Sequence, residues 1–137
     1  MQNKIKVGLI GSGHLGKHHI KHLSKHVDID FVGFFDTNKE IAKQVSGEFS
    51  VKSFENFHQL LDSVDAIHIV TPTNTHYEIA KECLNKKKDV FIEKPISTNY
   101  DQLDVLSAAV EQSNRKIYVG YNRPHSKAIN IIKENFK

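Results

Sequence analysis

A glycine pattern near the amino terminus has the spacing of a phosphate-binding loop. Gly11, Gly13 and Gly16 form a G-x-G-x-x-G pattern directly after the apolar run 5–10. In such a pattern the first glycine allows a tight turn, the second lets the backbone approach a pyrophosphate, and the third lets the next helix pack closely on the sheet. Unpaired N–H groups at the start of that helix favour phosphate. The pattern predicts a dinucleotide site whose contacts are Gly11, Ser12, Gly13, His14 and Leu15.

Asp36 supports the interpretation of the glycine pattern as part of a dinucleotide site. It follows the apolar run 29–35, which is typical of a second strand, and it lies 20 residues beyond Gly16. A carboxylate there can accept hydrogen bonds from both hydroxyls of an adenosine ribose, and it would repel a 2′-phosphate. The alternative is a turn-forming Asp before Thr37. Its position after a strand, glycine loop and helix favours the ribose role, so the sequence predicts NAD rather than NADP.

Glu93 and Lys94 form a second charged group that could do chemistry. They follow the apolar run 90–92 and precede Pro95, which would place a carboxylate and an ammonium where the nicotinamide ring is expected. A lysine beside a reacting alcohol or carbonyl can stabilise a developing oxyanion and transfer a proton. The alternative is an exposed ion pair before a turn, which is worth little energetically. Spacing alone leaves both interpretations of Lys94 open.

The segment 71–76, Thr-Pro-Thr-Asn-Thr-His, ends a third predicted strand. Pro72 stops the strand, and Asn74 is expected to cap the following helix. Because the carboxyl ends of parallel strands share one edge of a sheet, Thr71, Pro72 and Asn74 are expected to border the cofactor. His76 is either a polar contact to the ligand or a first-turn helix residue, and the sequence favours neither.

Apolar segments alternate with helical segments along the whole chain. Strands are predicted over 4–10, 29–35, 66–70, 90–92 and 117–119, with a short extended piece near 49–51. Helices are predicted over 14–26, 38–46, 54–61, 75–84, 100–111 and 127–136. This alternation predicts an α/β fold of the Rossmann type, a doubly wound parallel sheet with helices on both faces and ligands at the carboxyl ends of its strands.

Composition limits the remaining classes of function. A chain of 137 residues, 39% of them hydrophobic, is enough for one α/β domain. The net charge is +3 without a basic stripe interleaved with aromatic residues, so no nucleic-acid partner is expected. Neither a membrane span nor a targeting segment is predicted. The single cysteine, Cys83, is expected to be a half-buried helix residue, and it agrees with a reducing, cytoplasmic location.

Four histidines recur at every fourth position of the first predicted helix, namely His14, His18, His22 and His26. Histidines four residues apart on a helix can bind zinc. No carboxylate or thiolate completes a site beside them in the sequence. We interpret them as the solvated edge of an amphipathic helix, and the sequence predicts no metal site.

Together these motifs resemble a known family. The glycine loop, Asp36, the segments 71–76 and 93–95, and the segment 119–123 resemble the N-terminal domain of the glucose-fructose oxidoreductase, inositol dehydrogenase and MocA (Gfo/Idh/MocA) family. The resemblance covers essentially the whole chain. It implies an NAD(P)-dependent oxidoreductase that acts on sugars, inositols, nucleotide sugars or related polyols, with Lys94 as a catalytic residue near the nicotinamide. The expected cofactor contacts then also include Glu93, Lys94 and Asn122.

The sequence departs from this family in two respects. Residues 124–127 read Pro-His-Ser-Lys where members commonly have Arg-Phe and then a proline, so contacts there are not carried over. The family pattern also continues into a second α/β domain that holds most substrate contacts. Residues 1–123 are therefore expected to form the NAD(P)-binding domain, and residues 124–137 a helix that would lead into a substrate domain lacking here.

The functional expectation follows from that division. We expect the cofactor domain of an oxidoreductase, with weak or absent turnover by itself and with a small-molecule substrate only when a second domain or partner chain is present. The alternative is a stand-alone, non-catalytic dinucleotide-binding module or a truncated remnant. An oligomer is compatible with the sequence.

Overall fold

Five parallel strands form the sheet at the centre of the fold. The computed structural model describes residues 3–97 and 99–120. Within them the strands are β1 Ile5–Ile10, β2 Ile29–Phe35, β3 Ala66–Ile69, β4 Asp89–Glu93 and β5 Ile117–Gly120. Their order in the sheet is β2-β1-β3-β4-β5, and all pairings are parallel. The predicted helix 127–136, the division after residue 123, and Asn122 lie outside the described residues.

Five α-helices lie between these strands in the part of the chain that the structure describes. They are α1 His14–Lys25, α2 Lys39–Phe49, α3 Phe57–Asp62, α4 His76–Asn85 and α5 Tyr100–Ser113. Three of them begin after an asparagine whose side chain accepts hydrogen bonds from first-turn N–H groups: Asn38, Asn56 and Asn99. Such caps satisfy backbone donors that the helix leaves unpaired. Because Asn56 caps α3, that helix begins later than the predicted residue 54.

The sheet is covered on both faces by separate apolar clusters. Ile20 and Leu23 of α1 pack with Val45 of α2 in one cluster. Leu60 of α3 and Leu84 of α4 belong to the other cluster. The predicted doubly wound Rossmann-type architecture is therefore confirmed.

The extended piece expected near residues 49–51 lies a few residues later. Phe49 ends α2, and Ser50 has the left-handed backbone conformation, with φ of 55°. The chain then runs beside β2, where the Phe34 N–H donates to the Lys52 carbonyl at 3.0 Å and the Phe54 N–H donates to the Phe34 carbonyl at 2.8 Å. Phe49 packs against the core, which explains why the helix extends to it.

Cys83 is completely buried rather than half-buried as expected, with 0% of its surface exposed. It lies in α4 within the cluster that also contains Leu84 and Val90. Burial raises the pKa of its thiol far above the usual value. The thiol is therefore protonated and shielded, which agrees with the interpretation of Cys83 as a structural residue.

None of the helices in the described ranges combines the length and the apolar character that crossing a bilayer requires. The cytoplasmic location expected from the sequence stays a prediction.

The turn from β1 into α1 is held by a close approach of two backbones. A Cβ atom built on Gly16 would lie 1.9 Å from the carbonyl oxygen of Gly11. No side chain fits in that space, so only glycine lets α1 begin directly against the end of β1. Gly47, in contrast, lies exposed in α2 with no heavy atom within 4 Å of a Cβ at that position.

We predict opposite effects of alanine at these two glycines. Gly16→Ala should lower the free energy of unfolding by about 3 kcal/mol or more, because the methyl group forces the backbone of Gly11 to move. Gly47→Ala should raise it by about 0.5 to 1 kcal/mol, because alanine costs less helix entropy than glycine. Urea unfolding followed by circular dichroism measures both. Equal effects of the two substitutions would contradict this account of the turn.

Candidate cofactor site

The loop between β1 and α1 leaves an open, polar cradle at the carboxyl edge of the sheet. Gly13 is the N-cap of α1, and no side chain of the described residues caps that helix end. Open space faces Gly13, since no heavy atom of residues 3–97 or 99–120 lies within 4 Å of a Cβ built there. Uncapped N–H groups beside open space suit the pyrophosphate of a dinucleotide. The glycine loop thus has the geometry that the sequence predicts.

Asp36 closes one side of this loop. Its Oδ2 atom accepts hydrogen bonds from the Ser12 backbone N–H at 2.8 Å and from the Ser12 Oγ at 2.7 Å. Its Oδ1 atom accepts from the Asn38 N–H at 2.8 Å, so the turn role considered for Asp36 is also present. Each carboxylate oxygen has two lone pairs, so these three bonds leave one lone pair of Oδ1 free to accept a further hydrogen bond. The structure places Asp36 beside the glycine loop as expected. It also shows hydrogen bonds from Ser12 to Asp36 that the sequence does not predict.

The segment 71–76 is arranged differently from the expected capped helix. Thr73–Thr75 form a short 3₁₀ turn, and α4 begins after it at His76. Within the described part of the chain no side-chain hydrogen bond caps α4, so the expected cap by Asn74 is wrong. The turn is held instead by Thr75, whose Oγ1 lies 2.6 Å from both the Thr71 Oγ1 and the Pro72 carbonyl oxygen. Asn74 is exposed.

His76 joins two loops of the carboxyl edge. It is buried, with 3% of its surface exposed. Its Nε2 lies 2.9 Å from the Thr71 carbonyl oxygen, and its Nδ1 lies 3.0 Å from the Pro95 carbonyl oxygen. The sequence left His76 as either a ligand contact or an ordinary helix residue. The geometry gives it a bridging role between the loops after β3 and β4, and a cofactor contact stays a prediction.

Lys94 follows β4 at the same edge of the sheet. It is exposed, its backbone N–H donates to the Gly120 carbonyl at 3.2 Å, and its peptide bond to Pro95 is cis. In the strand order, β4 lies two positions from β1. Adjacent strands are about 4.8 Å apart, so Lys94 is on the order of 10 Å along the edge from the glycine loop. The strands thus place Lys94 and the loop along one edge, as the sequence predicts.

Glu93 ends β4 at the carboxyl edge of the sheet, but its side chain is buried. It is 6% exposed, and its Oε1 lies 3.4 Å from Nε2 of His19, which is also buried. Burial raises the pKa of Glu93 to about 7. Burial, and then the charges of His22 and His18, lower the pKa of His19 to about 4. Both shifts favour the neutral forms, as expected for ionisable groups removed from water. A cofactor contact by Glu93 stays a prediction.

Sequence reasoning missed two histidines beside Glu93. His19 lies on the buried face of α1 between Gly16 and Leu23, and His68 interrupts the apolar strand β3. Burial, and then His19, lower the pKa of His68 well below its usual value. A histidine inside an otherwise apolar strand was the available signal. The other histidines of α1 agree with the predicted solvated edge, since His14, His18 and His22 are exposed.

The hydrogen bond between Ser12 and Asp36 leads to a stability prediction. Ser12→Ala removes the buried hydroxyl donor of the Asp36 carboxylate and should lower the free energy of unfolding by about 1.5 to 3 kcal/mol, the usual range for bonds to charged groups. Ser24→Ala, on the exposed side of α1, removes a bond to the Lys21 carbonyl and should change it by less than about 0.5 kcal/mol. Thermal and urea unfolding measure both variants. A Ser12→Ala variant as stable as Ser24→Ala would show that the bond does not hold the loop.

The sequence and the fold both match characterised dehydrogenases. The sequence profile of the "Oxidoreductase family, NAD-binding Rossmann fold" (GFO_IDH_MocA) matches residues 5–121. The chain is 30% identical to glucose-6-phosphate 3-dehydrogenase of Bacillus subtilis over 128 residues, which are 93% of this chain and 37% of that protein. It is 31% identical to UDP-N-acetylglucosamine 3-dehydrogenase of Acidithiobacillus ferrooxidans over 131 residues, 95% of this chain and 41% of that protein.

The solved structure of that Acidithiobacillus ferrooxidans enzyme superposes with a TM-score of 0.78 and 32% identity, covering 87% of this chain and 39% of the other. A structure from Thermotoga maritima, described as a "probable dehydrogenase", gives a TM-score of 0.79 and 28% identity, covering 85% of this chain and 36% of the other. The chain thus spans about two fifths of the length of the curated relatives it matches, 37% and 41%. This chain belongs to the Gfo/Idh/MocA oxidoreductase family, with the NAD-binding Rossmann fold of its N-terminal domain.

Proposed function

We propose that this chain binds NAD(H) for an oxidoreductase that transfers hydride between the nicotinamide and a hydroxyl or carbonyl group of a sugar, inositol or nucleotide sugar. One observation carries the proposal: the open cradle at Gly13 meets the uncapped end of α1 beside the carboxylate of Asp36. The cradle follows β1, which is paired with both β2 and β3. In open α/β sheets such a reversal of strand order is where ligands bind.

The cofactor would lie along the carboxyl edge with its pyrophosphate in the cradle. The first-turn N–H groups of α1 and its helix dipole favour that charge, and no acidic residue in the first turn opposes it. The proposed contacts are Gly11, Ser12, Gly13, His14 and Leu15, followed along the edge by Thr71, Pro72 and Asn74.

Asp36 supports the choice of NAD over NADP. Its carboxylate is held toward the glycine loop by Ser12 and Asn38, so it cannot turn away without breaking those bonds. A ribose hydroxyl can donate to the one lone pair of Oδ1 that these bonds leave open. A 2′-phosphate would meet a fixed negative charge, and that repulsion disfavours NADP.

We propose that Lys94 donates and accepts the proton that accompanies hydride transfer. The bound nicotinamide supplies the hydride acceptor or donor. When a carbonyl is reduced, the Lys94 ammonium would stabilise the alkoxide that forms and donate a proton to it. When an alcohol is oxidised, the neutral amine would accept the hydroxyl proton while the hydride goes to the cofactor. The contact of His76 with the Pro95 carbonyl oxygen, at 3.0 Å, fixes the loop that presents Lys94. The sugar-phosphate and nucleotide-sugar dehydrogenases among its relatives support this class of substrate.

Parallel calorimetric titrations with NADH and NADPH test the cofactor assignment. The unmodified chain should bind NADH more tightly. Asp36→Asn should abolish that preference, because asparagine keeps a carbonyl oxygen for Ser12 but removes the negative charge. Gly13→Ala should weaken binding of both cofactors by about tenfold or more, or roughly 1.4 kcal/mol, because its methyl group occupies the cradle.

Gly47→Ala is the matched control for Gly13→Ala, since both glycines have open space at the Cβ position. Both variants should remain folded, and only Gly13→Ala should lose affinity. A chain that prefers NADPH, or a Gly13→Ala variant that binds NADH normally, would contradict the proposed site.

The chain by itself should show weak or absent turnover. Lys94 is exposed, and the described residues provide no wall that covers the reacting carbon and excludes water from it. Positioning and preorganisation supply much of the rate of an enzyme. Formation of NADH from NAD with glucose 6-phosphate or myo-inositol, followed by absorbance, measures this. Robust dehydrogenation of either compound by residues 1–137 alone would contradict the prediction.

A further inference from the structure

Three buried polar side chains from three different elements meet beneath the carboxyl edge of the sheet. His19 comes from α1, His68 from β3 and Glu93 from β4. Their exposed fractions are 4%, 2% and 6%. One ligand atom from each side chain lies within 4.8 Å of those of the other two. His68 and Glu93 come from adjacent strands, and the His19 side chain of α1 reaches both, at 4.4 Å between ring centroids for His68 and at 3.4 Å from Nε2 to Glu93 Oε1, so the cluster is fixed by the fold.

Five side-chain polar atoms of this cluster have no hydrogen-bond partner among the residues that the structure describes. They are Nε2 of His19, both ring nitrogens of His68 and both carboxylate oxygens of Glu93. A buried polar group without a partner costs about 1 to 3 kcal/mol, and a charged one costs more. His19 Nε2 and Glu93 Oε1 at least face each other at 3.4 Å, whereas the two ring nitrogens of His68 and the second oxygen of Glu93 remain costly unless a bound group satisfies them.

Aromatic packing explains part of the arrangement but not all of it. The His68 ring lies 4.3 Å from the Phe91 ring and 4.4 Å from the His19 ring, measured between centroids. These contacts would equally suit a phenylalanine at position 68. They give no reason for two imidazoles to converge on a carboxylate in the interior.

We propose that His19, His68 and Glu93 form a binding site for one divalent zinc ion. Two imidazoles and one carboxylate are a donor set that binds zinc and leaves a fourth position open. No thiolate belongs to the cluster, which disfavours the softer metal ions. The coordinated ion would give a partner to one nitrogen of each ring and to the carboxylate.

The spacing of the three side chains supports this site. Tetrahedral zinc with bonds of about 2.0 to 2.1 Å holds its ligand atoms about 3.3 Å apart. The separation of 3.4 Å between His19 Nε2 and Glu93 Oε1 already has that value. The remaining separations are at most 4.8 Å, so binding the ion would require side-chain shifts of up to about 1.5 Å.

This site is separate from the exposed histidines His14, His18 and His22 on α1. It also does not depend on the proposed redox function. An ion there would join α1 to β3 and β4, and would thereby hold the helix whose N-terminus faces the glycine loop.

Zinc binding to the chelator-treated chain tests the proposal. A titration with zinc chloride in competition with a chromophoric chelator should show one tightly bound ion per chain, and the melting temperature should rise with zinc. His68→Phe and Glu93→Gln should each abolish stoichiometric binding and the rise in melting temperature. The double variant His18→Ala/His22→Ala is the control and should bind zinc as the unmodified chain does.

X-ray absorption at the zinc edge should show two imidazole ligands in the unmodified chain. Absence of stoichiometric binding by that chain would overturn the proposal. Binding retained in Glu93→Gln and His68→Phe, or lost in the His18→Ala/His22→Ala control, would also overturn it. Circular dichroism of each metal-free variant establishes that it is folded, and Glu93→Gln decides the question if the buried His68→Phe substitution prevents folding.

Discussion

The close contact between Gly16 and the carbonyl of Gly11 is the constraint on which the rest of the site depends. A side chain at position 16 would overlap that carbonyl, since its Cβ would lie only 1.9 Å away. With glycine there, α1 begins directly at the end of β1 and its N-terminus faces the open cradle at Gly13. Its buried residues Ile20 and Leu23 then pack on the sheet. The same placement brings His19 over β3 and β4. One backbone contact therefore sets both the cofactor cradle and the buried polar cluster.

Polar bonds between neighbouring loops hold the carboxyl edge in shape. Ser12 links the glycine loop to Asp36 at the end of β2. His76 lies between the loop after β3 and Pro95 after β4, and its neutral ring can donate a hydrogen bond to one of the two carbonyl oxygens beside it, that of Thr71 or that of Pro95. These bonds lie at strand ends, where the sheet itself no longer pairs the chain. A rim fixed in this way loses less entropy when a ligand binds, which is the physical advantage of a preorganised site.

Some features of the site can be predicted from the spacing of residues in the sequence, whereas others depend on three-dimensional packing. The glycine loop and Asp36 were predictable because a strand, turn and helix unit imposes its residues at fixed distances along the chain. The burial of Glu93 could not be predicted in this way, because Glu93 is covered by His19, a residue distant in sequence. The sequence predicts that α4 begins at Thr75, one residue before its observed start at His76, because it does not show that the Thr75 hydroxyl binds the Pro72 carbonyl and tightens the preceding turn. Residues 121–137, including Asn122, lie outside the described part of the chain.

Amide chemical shifts of the ¹⁵N-labelled chain during titration with NADH test the central claim most directly, because they show where the cofactor lies. We expect the largest changes at the loop amides of Ser12, Gly13 and Leu15 and at Asp36. Amides at the opposite, amino edge should keep their shifts, as at Asp65, which donates to the Lys6 carbonyl at 2.8 Å. Changes concentrated at that amino edge, or none in the glycine loop at saturating NADH, would contradict the account.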